Sequence, residues 1–111
     1  MNQVTSAPVA ISVVIPIFGC ADCLFELSSR LTSSLSKVTD SFEVVLVNDG
    51  SVGSVHLVLS KIVTADSRFH ALNLSRNFGQ HPAIRAGLDY ANGQWIVVID
   101  CDLQDRPEEI P

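Results

Sequence analysis

Apolar residues fall along this chain in short blocks, and the spacing inside each block predicts the element it builds. The largely β-branched run Ile11 to Ile15, ended by Pro16, reads as a strand buried on both faces, central in its sheet or nearly so. From Asp22 onward Leu24, Leu27, Leu31, Leu35 and Val38 recur at helical spacing, with Ser28, Arg30, Ser33 and Lys37 between them. That is an amphipathic helix laid on a sheet. Phe42 to Val47 repeats the buried-strand pattern and breaks into Asn48-Asp49-Gly50-Ser51, residues suited to turns and helix caps. Val55, Leu57, Val58, Leu59, Ile62 and Val63 mark a second helix, and Phe69 to Leu74 a shorter strand. Pro82 to Ala91 is a third helix with proline in its first turn, and Trp95 to Ile99 a fourth strand. The resulting βαβαβαβ order calls for parallel pairing through right-handed crossovers, so the fold class is α/β.

Composition narrows this picture. The 111 residues suit a single domain, with residues 1–10 as a tail and 11–111 as the folded part. Apolar residues at 47% against charged residues at 17% exclude a disordered chain and fit a sheet with covered faces. A net charge of -5 leaves no electrostatic footprint for nucleic acid, so an anionic ligand needs a metal or local arginines. No apolar stretch approaches the ~20 residues of a membrane span. Met1 to Pro8 lacks the basic and apolar regions of a signal peptide, so a cytoplasmic location is expected. Three cysteines, Cys20, Cys23 and Cys101, leave at least one thiol free and favour a reducing compartment. The chain stops at Glu108-Glu109-Ile110-Pro111 without a closing element, which reads as a truncation; a sheet edge left exposed there favours self-association into a homo-oligomer.

In open α/β sheets the ligand lies beyond the carboxyl ends of the strands, so the chemistry belongs in Pro16 to Cys20, Asn48 to Ser51, Ser75 to Gln80 and Asp100 to Asp105. On extended backbone Asp100, Asp102 and Gln104 project to one side. Their oxygen donors suit a hard cation, Mg²⁺ or Mn²⁺, whose remaining ligands would be substrate phosphate and water. The alternative is that these acids simply end a strand. Asp49 can accept hydrogen bonds from a base imide or a ribose hydroxyl, or it can serve as a cap or turn beside a permissive Gly50. Arg76, followed by Asn77, Phe78 and Gly79, is either a solvated charge or a fork of donors for phosphate or a nucleobase carbonyl. His81 stands at a helix start, where it can touch an anion or lie partly exposed. His56 and His70 have no partner in view.

Four segments together, Ser12-Val-Val-Ile-Pro16, Val47-Asn-Asp-Gly-Ser51, Leu74-Ser-Arg-Asn-Phe-Gly-Gln-His81 and Val98-Ile-Asp-Cys-Asp-Leu-Gln-Asp105, resemble family 2 glycosyltransferases of the GT-A fold. The likeness is nearest the dolichol-phosphate mannose synthase and polyprenyl-phosphate glycosyltransferase group and covers Ile11 to Pro111. It implies a Rossmann-like, mostly parallel sheet and makes residues 11–111 the nucleotide-sugar-binding half, with the acceptor half absent. It implies that Pro16, Ile17, Phe18 and Asp49 flank the nucleobase, that Arg76 lies near base and phosphates, and that Asp100 and Asp102 bind donor and metal. Asp102 and Gln104 are then the best candidates for direct metal ligands. The implied reaction moves a hexose with inversion from a nucleoside diphosphate sugar, UDP preferred to GDP, to a lipid-phosphate acceptor. The full-length protein would work at the cytoplasmic face of a membrane, and the catalytic base would lie in the absent half. One departure is plain: the family's first loop commonly reads Pro-x-Tyr-Asn-Glu, whereas this chain has Pro16-Ile17-Phe18-Gly19-Cys20.

Other readings compete. Cys20-Ala-Asp-Cys23, between a strand and a helix, stands where a thioredoxin-like pair would, which makes a thiol redox module the main rival. Zinc at that pair lacks two further ligands at suitable spacing. An Asp-x-Asp phosphatase would carry its acids after the first strand, not the fourth. A dinucleotide-binding domain would need more glycine than Gly19 alone after that strand. A non-catalytic nucleotide-binding domain, separable from catalysis, also fits the residues present.

Overall fold

The computed structural model describes residues 10–18, 21–39, 41–50 and 53–99. In chain order these form β1 (Ile11–Ile17), α1 (Ala21–Ser36), β2 (Phe42–Asn48), α2 (Ser54–Ala65), β3 (Phe69–Asn73), α3 (Gln80–Tyr90) and β4 (Trp95–Val98). The element order is the expected one. All pairings are parallel, and the strands lie in the order β3-β2-β1-β4.

That order explains the continuous apolar runs of β1 and β2. They occupy the middle of the sheet and are covered on both faces. On one face Val13, Ile15, Ile17, Val44 and Leu46 meet Leu24, Leu27, Leu31 and Leu35 of α1 and Val55, Leu59 and Ile62 of α2. Each such side chain, fully buried, contributes about 1.5–3 kcal/mol of hydrophobic stabilisation. On the other face Val14, Val45 and Val47 meet Ala83 of α3, with Ala86 packed alongside. Alanine, and Gly87 where the helix comes nearest, let α3 lie close to the valines: a Cβ on Gly87 would stand 2.4 Å from Val14 Cγ1.

One expectation needs correcting. Val38 is not part of α1: the N–H groups of Val38 and Thr39 both donate to Leu35 O (2.9 Å each), the chain turns, and Val38 is left half-exposed. β4 is an outer strand of the sheet, and Trp95 is 73% exposed, with Ile96 and Val98 also exposed. α3 packs over β1 and β2, and among the described residues nothing covers the outer side of β4.

A polar network missing from the sequence reading sits at the amino end of the sheet. Ser12 Oγ donates to Glu43 Oε2 (2.6 Å), Asn92 N–H donates to the same oxygen (2.7 Å), and Gly93 N–H donates to Ser12 Oγ (2.7 Å). Both side chains are buried. They tie the α3–β4 turn to the central strands and so set where β4 begins. His70 also has company: its Nε2 lies 3.8 Å from Glu43 Oε1, and its ring packs against Tyr90 with centroids 5.5 Å apart. The signal was available, because Ser12 and Glu43 are the polar intruders in two otherwise apolar runs.

Candidate functional site

The chain leaves β1 toward β2 and β3 with α1 and α2 on one face, then returns across the other face through α3 to β4. The direction of winding therefore reverses between β1 and β4. In open α/β sheets the carboxyl end of that boundary is where a crevice for ligand opens. Pro16 widens it. Proline has no N–H to offer, and the β1–β4 register ends at Val14↔Val98, with a last bond from Ile99 N–H to Val14 O (3.2 Å). The β1–β2 register runs on to Ile17↔Asn48.

The first-loop residues divide between core and crevice. Pro16 and Ile17 are buried, Ile17 within the core under α1 and α2, and the Ile17 carbonyl accepts the Asp49 N–H at 2.7 Å. Phe18 is 61% exposed and is the side chain of the three that is available to a ligand.

Asp49 is at the carboxyl end of β2, 3% exposed, and its carboxylate is already engaged. Oδ1 accepts the Phe78 N–H (2.8 Å) and Oδ2 the Gly79 N–H (3.1 Å). Gly79 is the N-cap of α3 and caps it with no side chain of its own. Asp49 thus holds the two amides that lead into α3, some thirty residues on, rather than capping the helix that follows it. An anion at a helix N-terminus also interacts favourably with the helix dipole. Beside it Asn48 Nδ2 donates to Asn73 Oδ1 (3.1 Å) and Leu74 N–H to Asn48 O (2.9 Å), joining the ends of β2 and β3. Arg76 and Phe78 are both exposed, and the guanidinium carbon lies 4.6 Å from the Phe78 ring centroid, a cation–π stack.

The structure therefore brings together Phe18, Asp49 and the Arg76–Gly79 loop at the carboxyl edge. Ile99, 5% exposed, reaches the same edge beside β1. Asp100, Asp102 and Gln104 lie outside the described residues, as do Cys20 and Cys101. Cys23 is a half-buried free thiol, and among the described residues no cluster of three metal-ligating side chains occurs. No helix among them is long and apolar enough to cross a membrane. His81 is exposed.

A parallel sheet wound in this order, with its candidate residues at the carboxyl edge, has the Rossmann-like GT-A architecture of nucleotide-diphospho-sugar transferases. The family model described as glycosyl transferase family 2 matches residues 12–111, and the chain belongs to that family. That match spans Cys20 and Cys23 and decides against the thiol redox module. The undecaprenyl-phosphate 4-deoxy-4-formamido-L-arabinose transferase of Salmonella choleraesuis is 40% identical over 108 residues, 96% of this chain and 33% of that protein. The transferase of the same name from Aeromonas hydrophila subsp. hydrophila is 40% identical over 102 residues, 91% of this chain and 31% of its own length. The chain thus spans about a third of these curated relatives. Among solved structures, the mannosyltransferase PcManGT from Pyrobaculum calidifontis, in complex with GDP-Man and Mn²⁺, superposes with a TM-score of 0.76 at 19% identity over 86% of this chain and 30% of that one. S. aureus TarS 1–349 in complex with UDP gives 0.67 at 24% identity, over 85% and 28%. At such identities these two establish a shared fold.

Proposed function

We propose that this chain is the donor-binding part of a glycosyltransferase that moves a sugar, with inversion, from a nucleoside diphosphate to a polyprenyl-phosphate acceptor. Transfer would take place at the cytoplasmic face of a membrane. The observation that carries the reading is the convergence of Phe18, Asp49 and the Arg76–Gly79 loop at the carboxyl edge of a family 2 sheet. The names of the 40% identical relatives supply the acceptor class and the kind of reaction.

Each residue then has a task. Phe18 offers an exposed ring to the base, and Arg76 presents guanidinium donors to phosphate or base carbonyl. A carboxylate has about four lone-pair sites, so Asp49, holding two amides, retains room for further donors from the base, the uracil imide among them. The Asp49 carboxylate lies beside the N-terminus of α3, otherwise a natural seat for phosphate, and repels a second anion there. The diphosphate is thereby directed toward Arg76 and the acidic segment Asp100, Asp102 and Gln104. The oxygen donors of that segment fit Mg²⁺ or Mn²⁺, which when bound would neutralise charge developing on the leaving diphosphate. A polyprenyl phosphate oxygen is already anionic, so positioning it matters more than deprotonating it. On its own the chain is expected to bind donor without full transfer activity.

The test is calorimetric titration of UDP and GDP, with and without Mn²⁺, into the chain and its Asp102→Asn variant, after circular dichroism has verified that both fold. Metal-dependent binding lost in the variant is the expected result, and the tighter of the two nucleotides names the base. Folded protein that binds neither nucleotide under any condition overturns the reading.

A further inference from the structure

The donor reading above treats Asp49 as a group that touches the nucleobase, but its surroundings give it a second part. We infer that Asp49 is a positioning residue that acts on the donor through the Arg76–Gly79 loop. The inference rests on the proposed donor site and adds to it.

Three observations lead there. First, both carboxylate oxygens are engaged by consecutive backbone amides, at 2.8 and 3.1 Å, from residues 29 and 30 positions away. Its own N–H is fixed to β1 through Ile17 O, so the carboxylate is held against the rigid centre of the sheet. Second, the loop lies directly on the adjacent backbone: a Cβ built on Gly50 would stand 2.4 Å from Asn77 N and 2.5 Å from Arg76 C. The two loops are fitted to each other as one surface. Third, the residue whose N–H Asp49 holds is Phe78, and on the Phe78 ring rests the Arg76 guanidinium, 4.6 Å from the centroid. A line of contacts therefore runs from carboxylate to amide to ring to guanidinium. Arg76 is otherwise an exposed side chain with many rotamers, and ordering it in advance lowers the entropy lost when it meets a phosphate.

The experiment combines hydrogen exchange with a double-mutant cycle on the whole chain. Asp49→Asn keeps one acceptor and the side-chain shape. Exchange at the Phe78 amide is expected to quicken by about tenfold to a hundredfold, the effect of losing a charge-assisted hydrogen bond, with a smaller change at Gly79, whose N–H also donates to Asn77 Oδ1 (2.9 Å), while Val45 and Leu46 in the core of β2 stay protected. UDP affinity, read with uridine as the phosphate-free control, is expected to fall about tenfold in Asp49→Asn and as far in Arg76→Ala. Asp49→Asn should then cost less in the Arg76→Ala background than in the wild type, because the part of its effect that runs through Arg76 is already gone and only its contact with the base remains to be lost. Uridine binding should change less than UDP binding. Unchanged exchange at residues 78 and 79, or losses that simply add in the double variant, overturns the inference. If uridine weakens as much as UDP, Asp49 acts by touching the base, and the positioning role is again refuted. Wild-type chain that binds no nucleotide removes the donor reading, and the anchoring of the loop then stands or falls on the exchange result alone.

Discussion

The contact between Gly50 and the Arg76–Asn77 backbone can be tested by adding one carbon. In Gly50→Ala the new Cβ meets Asn77 N at 2.4 Å and Arg76 C at 2.5 Å, both main-chain atoms that no rotamer change can clear. The loop must retreat by about 1 Å to restore ordinary contact distances. Such overpacking costs about 1–3 kcal/mol. The residue also sits at φ 86°, where an L side chain adds about 1–2 kcal/mol. The sum is about 2–5 kcal/mol, a large share of the ~5–15 kcal/mol that holds a small domain together. Gly53→Ala is the matched control. Its φ is 73° and its ψ -123°, outside the left-handed helical region, and nothing lies within 4 Å of its Cβ, so only a conformational cost of about 1–3 kcal/mol should appear. Urea denaturation of the three proteins, compared at unchanged slope, reads the difference directly. At a slope of about 2 kcal/mol per molar, Gly50→Ala should shift the midpoint by about 1–2.5 M, further than Gly53→Ala. If the two variants fall within about 0.5 kcal/mol of each other, a difference too small to assign to a contact, the two loops are not packed as described.

Three further outcomes are expected. Gly87→Ala gains about 1 kcal/mol in helix propensity but drives its Cβ to 2.4 Å from the stiff Val14 side chain; overpacking at about 1–3 kcal/mol should win, and a thermal melt that rises would show that α3 has slack above the sheet. Glu43→Ala strands the buried Ser12 hydroxyl and frees the part-buried Asn92 N–H and should cost about 1–3 kcal/mol, with Glu43→Gln much milder; equal losses in urea titrations would refute the network. Asp66 has its carboxyl held below the ordinary value of 3.8 by side-chain hydrogen bonds from Arg68, at 3.0 Å from Nε and 2.9 Å from Nη2, with burial opposing. A depressed folded value means that this stabilisation is present above the unfolded value and is lost as pH falls through the folded one. Asp66→Asn should therefore be less stable by under about 1 kcal/mol at neutral pH, the pair being partly exposed, and the two proteins should converge in acid; a gap that persists at low pH would exclude this origin.

The sequence made the element order legible because buried parallel strands and leucine-striped helices leave strong local periodicities. It could not tell β4 from β1, since Trp95 to Ile99 and Ile11 to Ile15 are alike as strings and differ only in what α3 covers. Asp49 illustrates the harder limit. Its local company suggested a ligand contact or a cap for the next helix, while its actual partners, Phe78 and Gly79, are set by the pairing of β2 with β3 and by the return of the chain over the other face. The Ser12–Glu43–Asn92 network is of the same kind: polar residues inside apolar runs announce a buried partner, but which partner depends on register. Ile17 shows the converse, a residue placed in the site by its loop and in the core by its side chain.

The strand order also has a consequence for how the chain is made. β1 stands in the middle of the sheet, yet its two neighbours are written far apart: the Ser12–Glu43 bond spans 31 residues and the Gly93–Ser12 bond spans 81. As the polypeptide emerges from the ribosome, β2 is available to β1 early, whereas β4 is synthesised only after two more helices and a strand. Throughout that interval the strand destined for the centre has one flank of unpaired amides and carbonyls open to any other extended segment nearby. The molecule is most exposed to mispairing at the strand that ends up best protected.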